Sequence, residues 1–294
     1  MRLSAWPTAY HPWSTFLVLA RHVEAAGYDG VWVADHFMPD TAEAQGPVHE
    51  CFSLLAAVAA LVPRVRLGSL VAGNTYRHPA VLANQARTID HISGGRFVLG
   101  LGSGWQENEH ERYGIELPAT GPLLRRFEEA CRVVRALRDE PLADLDGEFY
   151  QLRSAPMEPK PVGPMPLLIG AAGERVMPGI VARQAQEWNV WGTPERFARK
   201  NAVMTAACER EGRDPATLWR TTAAEIIVGS GFRAGTGDDV TIGGSVEQLV
   251  DTFGRYAEAG LDEFIVMDGN LGLDPARSME LFDLMAHDVL PRVG

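Results

Sequence analysis

The chain is 294 residues long, with 46% apolar, 22% charged and 8% aromatic residues, a balance that can bury a large core and lies outside the low-hydrophobicity, high-charge range of disordered chains. A formal charge of -11 without any lysine- or arginine-rich run argues against nucleic acid as a partner, and apolar runs such as Leu54 to Val62 are about half of the ~20 residues that a membrane span needs. Cys51, Cys131 and Cys208 stand far apart and make neither a disulfide framework nor a metal knuckle; with no export signal in Met-Arg-Leu-Ser-Ala-Trp-Pro, a soluble cytoplasmic protein is expected.

Short apolar, β-branched runs alternate with longer amphipathic stretches along the chain. Strands are expected at Leu3 to Trp6, Gly30 to Ala34, Val65 to Val71, Arg96 to Leu101, Leu167 to Gly170, Glu187 to Val190, Thr221 to Val228 and Glu263 to Met267. Helical apolar spacing marks Phe16 to Ala26, Cys51 to Leu61, Ala80 to His91, Leu124 to Arg138, Arg175 to Gln184, Pro194 to Glu211, Val246 to Ala259 and Pro275 to Val289. Gly27 and Gly260 stand where helices end in a left-handed residue, and Thr193-Pro194 and Ser245 where helices begin. This alternation predicts a (β/α)8 TIM barrel, one α/β domain over 1–294. It carries an insertion after strand 4 (Gly102 to Leu123) on the face that bears barrel chemistry. A second insertion lies before strand 5 (Leu142 to Pro166), at the bottom or side, with a tight hairpin at Asp146-Gly147.

Several familiar motifs fail. Gly100-Leu101-Gly102-Ser103-Gly104 has the wrong spacing for a Rossmann turn, and the Walker pattern, the Gly-x-Ser-x-Gly elbow and His-Glu-x-x-His are absent. What remains lies at the ends of successive strands. Asp35 and His36 follow the second, where an imidazole can exchange a proton near neutral pH. Asn74, Thr75 and Arg77 follow the third and offer donors to a ring edge or an anionic chain; the alternative for Arg77 is a carboxylate on the rim. Gly104 lets a flat ring approach the backbone, and Trp105 can wall it in. Gly170, Ala171, Ala172, Gly173, Glu174 and Arg175 make a Gly-rich turn before a helix, suited to a phosphate. Glu107, Glu109, His110 and Glu111 read as a solvated acidic face, with no metal site.

Taken together, Trp32 to Phe37, Gly73 to Pro79, Asp90 to Arg96 and Gly100 to Trp105, with Ile169 to Arg175 and Trp188-Asn189, resemble the luciferase-like monooxygenase superfamily, and within it the branch that uses the deazaflavin coenzyme F420. The resemblance implies a ring lying across the barrel mouth, backed by a non-proline cis peptide near Leu70-Val71. It makes His36 the candidate proton donor or acceptor, with Asp35 seating the ring, Asn74 at its edge and the Gly170 to Arg175 turn on the phosphate of the cofactor tail. Trp6 and Trp105 are the candidate substrate-pocket residues. Trp105 stands where sugar-phosphate dehydrogenases of this branch carry a glutamate, which points away from sugar phosphates toward an apolar or aromatic small molecule. A homodimer is expected on the same grounds. The expected reaction is hydride transfer between F420 and a small organic substrate; the alternatives are an FMN-dependent monooxygenase supplied by a separate cofactor reductase, and a barrel that only stores or senses a flavin.

Overall fold

A computed structural model describes residues 1–40, 46–229, 232 and 240–293. Its elements in chain order are β1 (Arg2–Trp6), α1 (Trp13–Ala25), β2 (Gly30–Val33), α2 (Cys51–Leu61), β3 (Arg66–Ser69), β4 (Ala72–Gly73), α3 (Pro79–Ser93), β5 (Phe97–Gly102), α4 (Glu107–Tyr113) and α5 (Thr120–Asp139). There follow β6 (Ala143–Asp146), β7 (Gln151–Ala155), β8 (Leu167–Gly170), α6 (Met177–Gln184), β9 (Glu187–Trp191), α7 (Pro194–Arg210), β10 (Trp219–Val228), β11 (Thr241–Gly244), α8 (Val246–Glu258), β12 (Glu263–Met267) and α9 (Pro275–Asp283). The last helix continues as a π-helical turn over Leu284–Val289.

Eight of these strands close a ring in the order β1, β2, β3, β5, β8, β9, β10, β12 and back to β1, every pair parallel. These are the eight strands expected from the sequence. Their near-continuous apolar runs, such as Gly30–Val33 and Phe97–Gly102, are buried along their whole length, as a parallel sheet covered on both faces requires. The helix ends follow the expected capping chemistry: Gly27 and Gly260 have φ of 91° and 81°, and the Thr193 and Ser245 side chains cap α7 and α8, the latter in a full capping box with Gln248. The insertion before β8 forms the antiparallel β6–β7 hairpin. Its turn runs from Gly147 to Tyr150, closed by Gly147 N–H donating to the Tyr150 carbonyl, and is longer than the expected tight turn. The buried Glu129 carboxylate explains the extra length, because it accepts the N–H groups of Phe149 and Tyr150.

Three further departures matter for the site. The expected third strand is interrupted after Ser69: between β3 and β4 the chain advances five residues, Leu67 to Ala72, while its neighbour β5 advances four, Phe97 to Leu101. The extra residue is a bulge, and the Leu70–Val71 peptide bond within it is cis, at the position that the resemblance implies. The insertion after β5 holds a helix of its own, α4, where the polar run Glu107 to Tyr113 has no apolar spacing to predict one. Finally, α6 begins at Met177, two residues after the expected Arg175, so Gly173 to Arg175 stay in the loop.

Side chains inside the ring form layers. At the end where the strands start, Arg66 reaches both Glu187 (2.6 Å) and Glu263 (3.0 Å) and lies over the Trp32 ring. Glu263 also accepts from Ser4 Oγ at 2.6 Å, Trp32 Nε1 at 3.1 Å and Trp219 Nε1 at 3.2 Å. Burial, with Glu263 nearby, pushes the Glu187 carboxyl up despite Arg66, while the two carboxylates outweigh burial at Arg66 and raise its guanidinium further. Above this plug, Trp32, Val98, Leu168, Ala223 and Ile265 make an apolar layer, followed by Leu70 and Met267. A larger core of aliphatic and aromatic residues separates the strands from the helices outside.

Because Glu263 is fully buried and holds four donors, Glu263→Ala should lower stability by about 3–5 kcal/mol, the usual cost of breaking a buried pair. Urea unfolding followed by circular dichroism measures this; an unchanged midpoint would show the plug to be dispensable.

Candidate functional site

At the opposite end of the barrel, where the strands finish, lies a cavity of about 490 Å³. Its floor is the bulge. Leu70 and Val71 line it together with Gly102, Ser103 and Gly104 at the end of β5 and Gly170 at the end of β8. The glycines are there because Val71 needs their space. A Cβ on Gly102 would lie 2.8 Å from Val71 Cγ2, and one on Gly170 3.0 Å from the same atom. At Gly100 a Cβ would meet Ser69 O at 1.9 Å and Val71 Cγ1 at 3.2 Å. Gly104, with φ of 98°, is excluded from carrying a side chain by Thr75 Oγ1 at 2.7 Å as well.

One wall is aromatic. Trp6 at the end of β1 and Trp191 at the end of β9 both line the cavity and meet edge to face, ring centroids 5.3 Å apart. Trp105 stands at the rim, 59% exposed, its ring perpendicular to that of His36 at 5.6 Å. Asn189 and Arg196 complete this side, Asn189 donating to Thr221 Oγ1 at 2.8 Å.

The polar wall comes from the β2 end. Asp35 is buried, and its carboxylate is spoken for: it accepts from Arg77 at 2.5 and 3.0 Å and from the Gly73 N–H at 3.0 Å. Arg77 therefore takes the rim-carboxylate role and also reaches Glu50 at 3.3 Å. Burial would push the carboxyl of Glu50, the cap of α2, up, but hydrogen bonds from Ser53 and from the Phe52 N–H, with Arg77 adding a smaller pull, hold it below the usual carboxylate range.

His36 lines the cavity with its Nδ1 3.0 Å from Glu109 Oε2. Glu109 and His110 are fully or nearly fully buried, which corrects their reading as part of a solvated acidic face; only Glu107 and Glu111 of that run are exposed. The reason is α4, which lies over the barrel mouth and turns two adjacent positions inward. Glu109 also accepts the Phe37 N–H and the Tyr76 hydroxyl. Burial alone would push the Glu109 carboxyl up, but hydrogen bonds from His36, Tyr76 and Phe37 outweigh it and hold it below the usual range. Burial and the hydrogen bond to Glu109 raise the Tyr76 phenol well above its ordinary value. His110 is spent on structure: Nδ1 is 2.7 Å from the Gln106 carbonyl and Nε2 2.6 Å from Thr75 Oγ1. Among the described residues, no group of three or more His, Cys, Asp or Glu could hold a metal ion.

The expected site residues thus divide. Trp6, Asp35, His36, Leu70, Val71, Gly104, Trp105, Gly170, Ala171 and Ala172 line one cavity. Asn74 lies directly after the lining residue Gly73, 1% exposed, with neither side-chain amide atom engaged by a protein partner. Gly173, Glu174 and Arg175 sit outside the cavity on the exposed continuation of the same loop. There Lys200 ties down Glu174 and the Ala172 carbonyl, both at 2.7 Å, and Trp188 Nε1 donates to the Ala171 carbonyl at 2.9 Å. The sequence reading missed Tyr76, Glu109, Asn189, Trp191 and Arg196.

A family model described as luciferase-like monooxygenase matches residues 1–232. Among curated proteins, an F420-dependent glucose-6-phosphate dehydrogenase of Kineococcus radiotolerans is 35% identical over 55% of this chain and 46% of its own length. The pyrimidine monooxygenase RutA of Cronobacter sakazakii is 34% identical over 56% of this chain and 50% of its own. The chain therefore spans about half the length of these curated relatives. Among solved structures, an F420-dependent secondary alcohol dehydrogenase in complex with an F420–acetone adduct superimposes with a TM-score of 0.85 at 18% identity, covering 100% of this chain and 99% of that one. The monooxygenase RslO1 from Streptomyces bottropensis gives 0.82 at 18% identity, with both chains fully covered. Both structures share the fold.

Gly102→Ala should destabilise the protein by about 1–3 kcal/mol through overpacking against Val71, since no other side chain lies within 4 Å of the added methyl. Val71→Ala in the same chain should recover most of that loss. A double-mutant cycle in urea measures the coupling, and strictly additive effects would show that the glycine is not there for Val71.

Proposed function

The chain belongs to the luciferase-like monooxygenase family, and from that premise we propose that it is an oxidoreductase that transfers a hydride between coenzyme F420 and a small organic substrate in the cavity at the barrel mouth. The observation that carries this reading is His36: an imidazole lining the cavity, one nitrogen anchored on a buried carboxylate and the other left for a reacting group. Hydride transfer to or from a carbon bearing oxygen must be matched by a proton moved at that oxygen, and an imidazole so placed can move it.

The residues present fit a flat ring. Gly102, Gly104 and Gly170 leave backbone open for close approach over Val71. Asn74 offers an amide whose donor and acceptor have no protein partner, an arrangement that a buried side chain rarely keeps unless a ligand completes it. Asp35, neutralised by Arg77, fixes the backbone of Gly73 beside that amide. Leu70, Val71, Gly104 and the Ala171–Ala172 segment border the ring position, and Gly173, Glu174 and Arg175 extend outward where a phosphate-bearing tail would leave the mouth. F420, when bound, supplies the hydride chemistry itself. The chain's own residues orient the partners, exclude water behind Trp6, Trp105 and Trp191, and move the proton at His36 Nε2, so proximity carries much of the barrier reduction.

The substrate wall is aromatic, which favours an apolar or aromatic compound over a sugar phosphate; Trp105 at the rim offers no acid. A second reading, FMN-dependent monooxygenation, rests on the pyrimidine monooxygenase relative, whose identity equals that of the dehydrogenase within 1%.

The test is to titrate the purified protein with F420 and with FMN, then assay panels of alcohols, aldehydes and enones with oxidised or reduced F420 under anaerobic conditions. Tight F420 binding with oxygen-independent turnover is expected, and His36→Asn should cut kcat by about 10²–10⁴-fold with F420 affinity kept. Turnover only with reduced FMN and oxygen would replace this reading by the second.

A further inference from the structure

We infer that Glu109 is a positioning residue which fixes His36 in the tautomer carrying its proton on Nδ1, so that Nε2 meets the substrate as a proton acceptor. This rests on the reading of His36 given above, and deepens it by assigning the direction in which the imidazole starts: it takes a proton from a hydroxyl as hydride leaves the adjacent carbon, and returns one in the reverse reaction.

The geometry is that of a buried acceptor surrounded by donors. Glu109 is 0% exposed and does not itself line the cavity. Of its neighbours, the Phe37 N–H can only donate, and the Tyr76 hydroxyl donates to Oε2. An ionised carboxylate has no proton to give, so the remaining bond, to His36 Nδ1 at 3.0 Å, must also be donated to it. Among the described residues, the ion-pair partner of Glu109 is His36 and no lysine or arginine. Asp35 is the contrast: equally buried, one residue before His36, but held by the fixed charge of Arg77. Asp35 has its counter-charge whatever His36 does. Glu109 has no such fixed cation among the described residues, and the bond that His36 Nδ1 donates to it holds the imidazole proton on the side away from the cavity.

Replacing the carboxylate by an amide reverses the bond. In Glu109→Gln the amide oxygen stays with the Phe37 N–H, and the amide nitrogen faces His36 Nδ1, which must then accept; the imidazole proton moves to Nε2, and the nitrogen facing the substrate becomes a donor. The shape of the site hardly changes, whereas the base is lost.

The experiment is nitrogen-15 NMR of protein labelled at histidine, at a pH where the imidazole is neutral, with the His36 signals assigned by difference from His36→Asn. The wild-type chain is expected to show the proton on Nδ1 and Glu109→Gln to show it on Nε2. In the F420 assay, Glu109→Gln should lose about 10²–10⁴-fold in kcat for alcohol oxidation, the range that a positioned general base contributes, while F420 affinity changes no more than a few-fold. A wild-type His36 protonated on Nε2, or an unchanged tautomer in Glu109→Gln, overturns the inference. Should Glu109→Gln fail to fold, the wild-type tautomer alone decides. The tautomer is read without turnover, so it stands or falls separately from the choice of cofactor.

Discussion

The bulge at Leu70 and Val71 needs room inside a closed ring of strands, and the neighbouring strands provide it by carrying no β-carbon at Gly100, Gly102 and Gly170. A barrel of eight strands has an interior just wide enough for its own side chains. Here the lower part is taken by the Arg66 plug and the middle by Trp32 and its apolar neighbours. Val71 closes what remains, so the open space is confined to the mouth, where the loops after the strands converge. The glycines thus serve twice: they admit the bulge, and they leave backbone exposed on the floor above it.

Around that floor, two buried carboxylates only two strands' worth of loop apart do different work because their counter-charges differ. Asp35 is bound by a guanidinium and a backbone N–H, a fixed arrangement that joins the end of β2 to β4. Glu109 is bound by donors from the β2 end, from the loop before α3 and from an imidazole whose charge can change. The first arrangement makes a rigid wall. The second joins α4 to the β2 end through neutral donors and an imidazole, with no lysine or arginine among the described residues as its ion-pair partner.

The fold was legible because each repeat announces itself locally: an apolar run too short for a helix, a glycine or proline at the turn, then 3.6-residue spacing. All eight ring strands and the capping residues Thr193, Ser245, Gly27 and Gly260 could be placed that way. The position of the cis bond at Leu70–Val71 came from family resemblance, since nothing in Ser-Leu-Val-Ala distinguishes it from any other strand. Glu109 was hidden for a physical reason. In Glu-Asn-Glu-His-Glu-Arg every position is polar, and periodicity cannot tell which face turns inward when the inward face is itself polar. Its burial comes from tertiary closure of α4 over the mouth, and the local hint was the flanking pair Gly104 and Gly114, both with positive φ, which bound a separate compact turn. Trp191 escaped because the strand was ended one residue early at Val190. The place of Asp35 at a strand end marks it in the sequence, whereas its partner Arg77 lies 42 residues away and its sequence position fits a cofactor contact equally well.

On the proposed reading, the insertion after β5 carries two duties that are usually assigned to different parts of a barrel enzyme. Variable loops set specificity while strand ends hold the chemistry, yet here Trp105 on the rim and Glu109 behind His36 are four residues apart on one short segment. Lengthening or replacing that loop would shift α4, and with it the carboxylate that meets His36 Nδ1. Adjustments confined to the outward positions Glu107 and Glu111 leave Glu109 and His110 anchored through Tyr76, Phe37 and Thr75. One face of α4 is thus open to solvent and free to vary, while the other is tied to the β2 end and to the loop before α3.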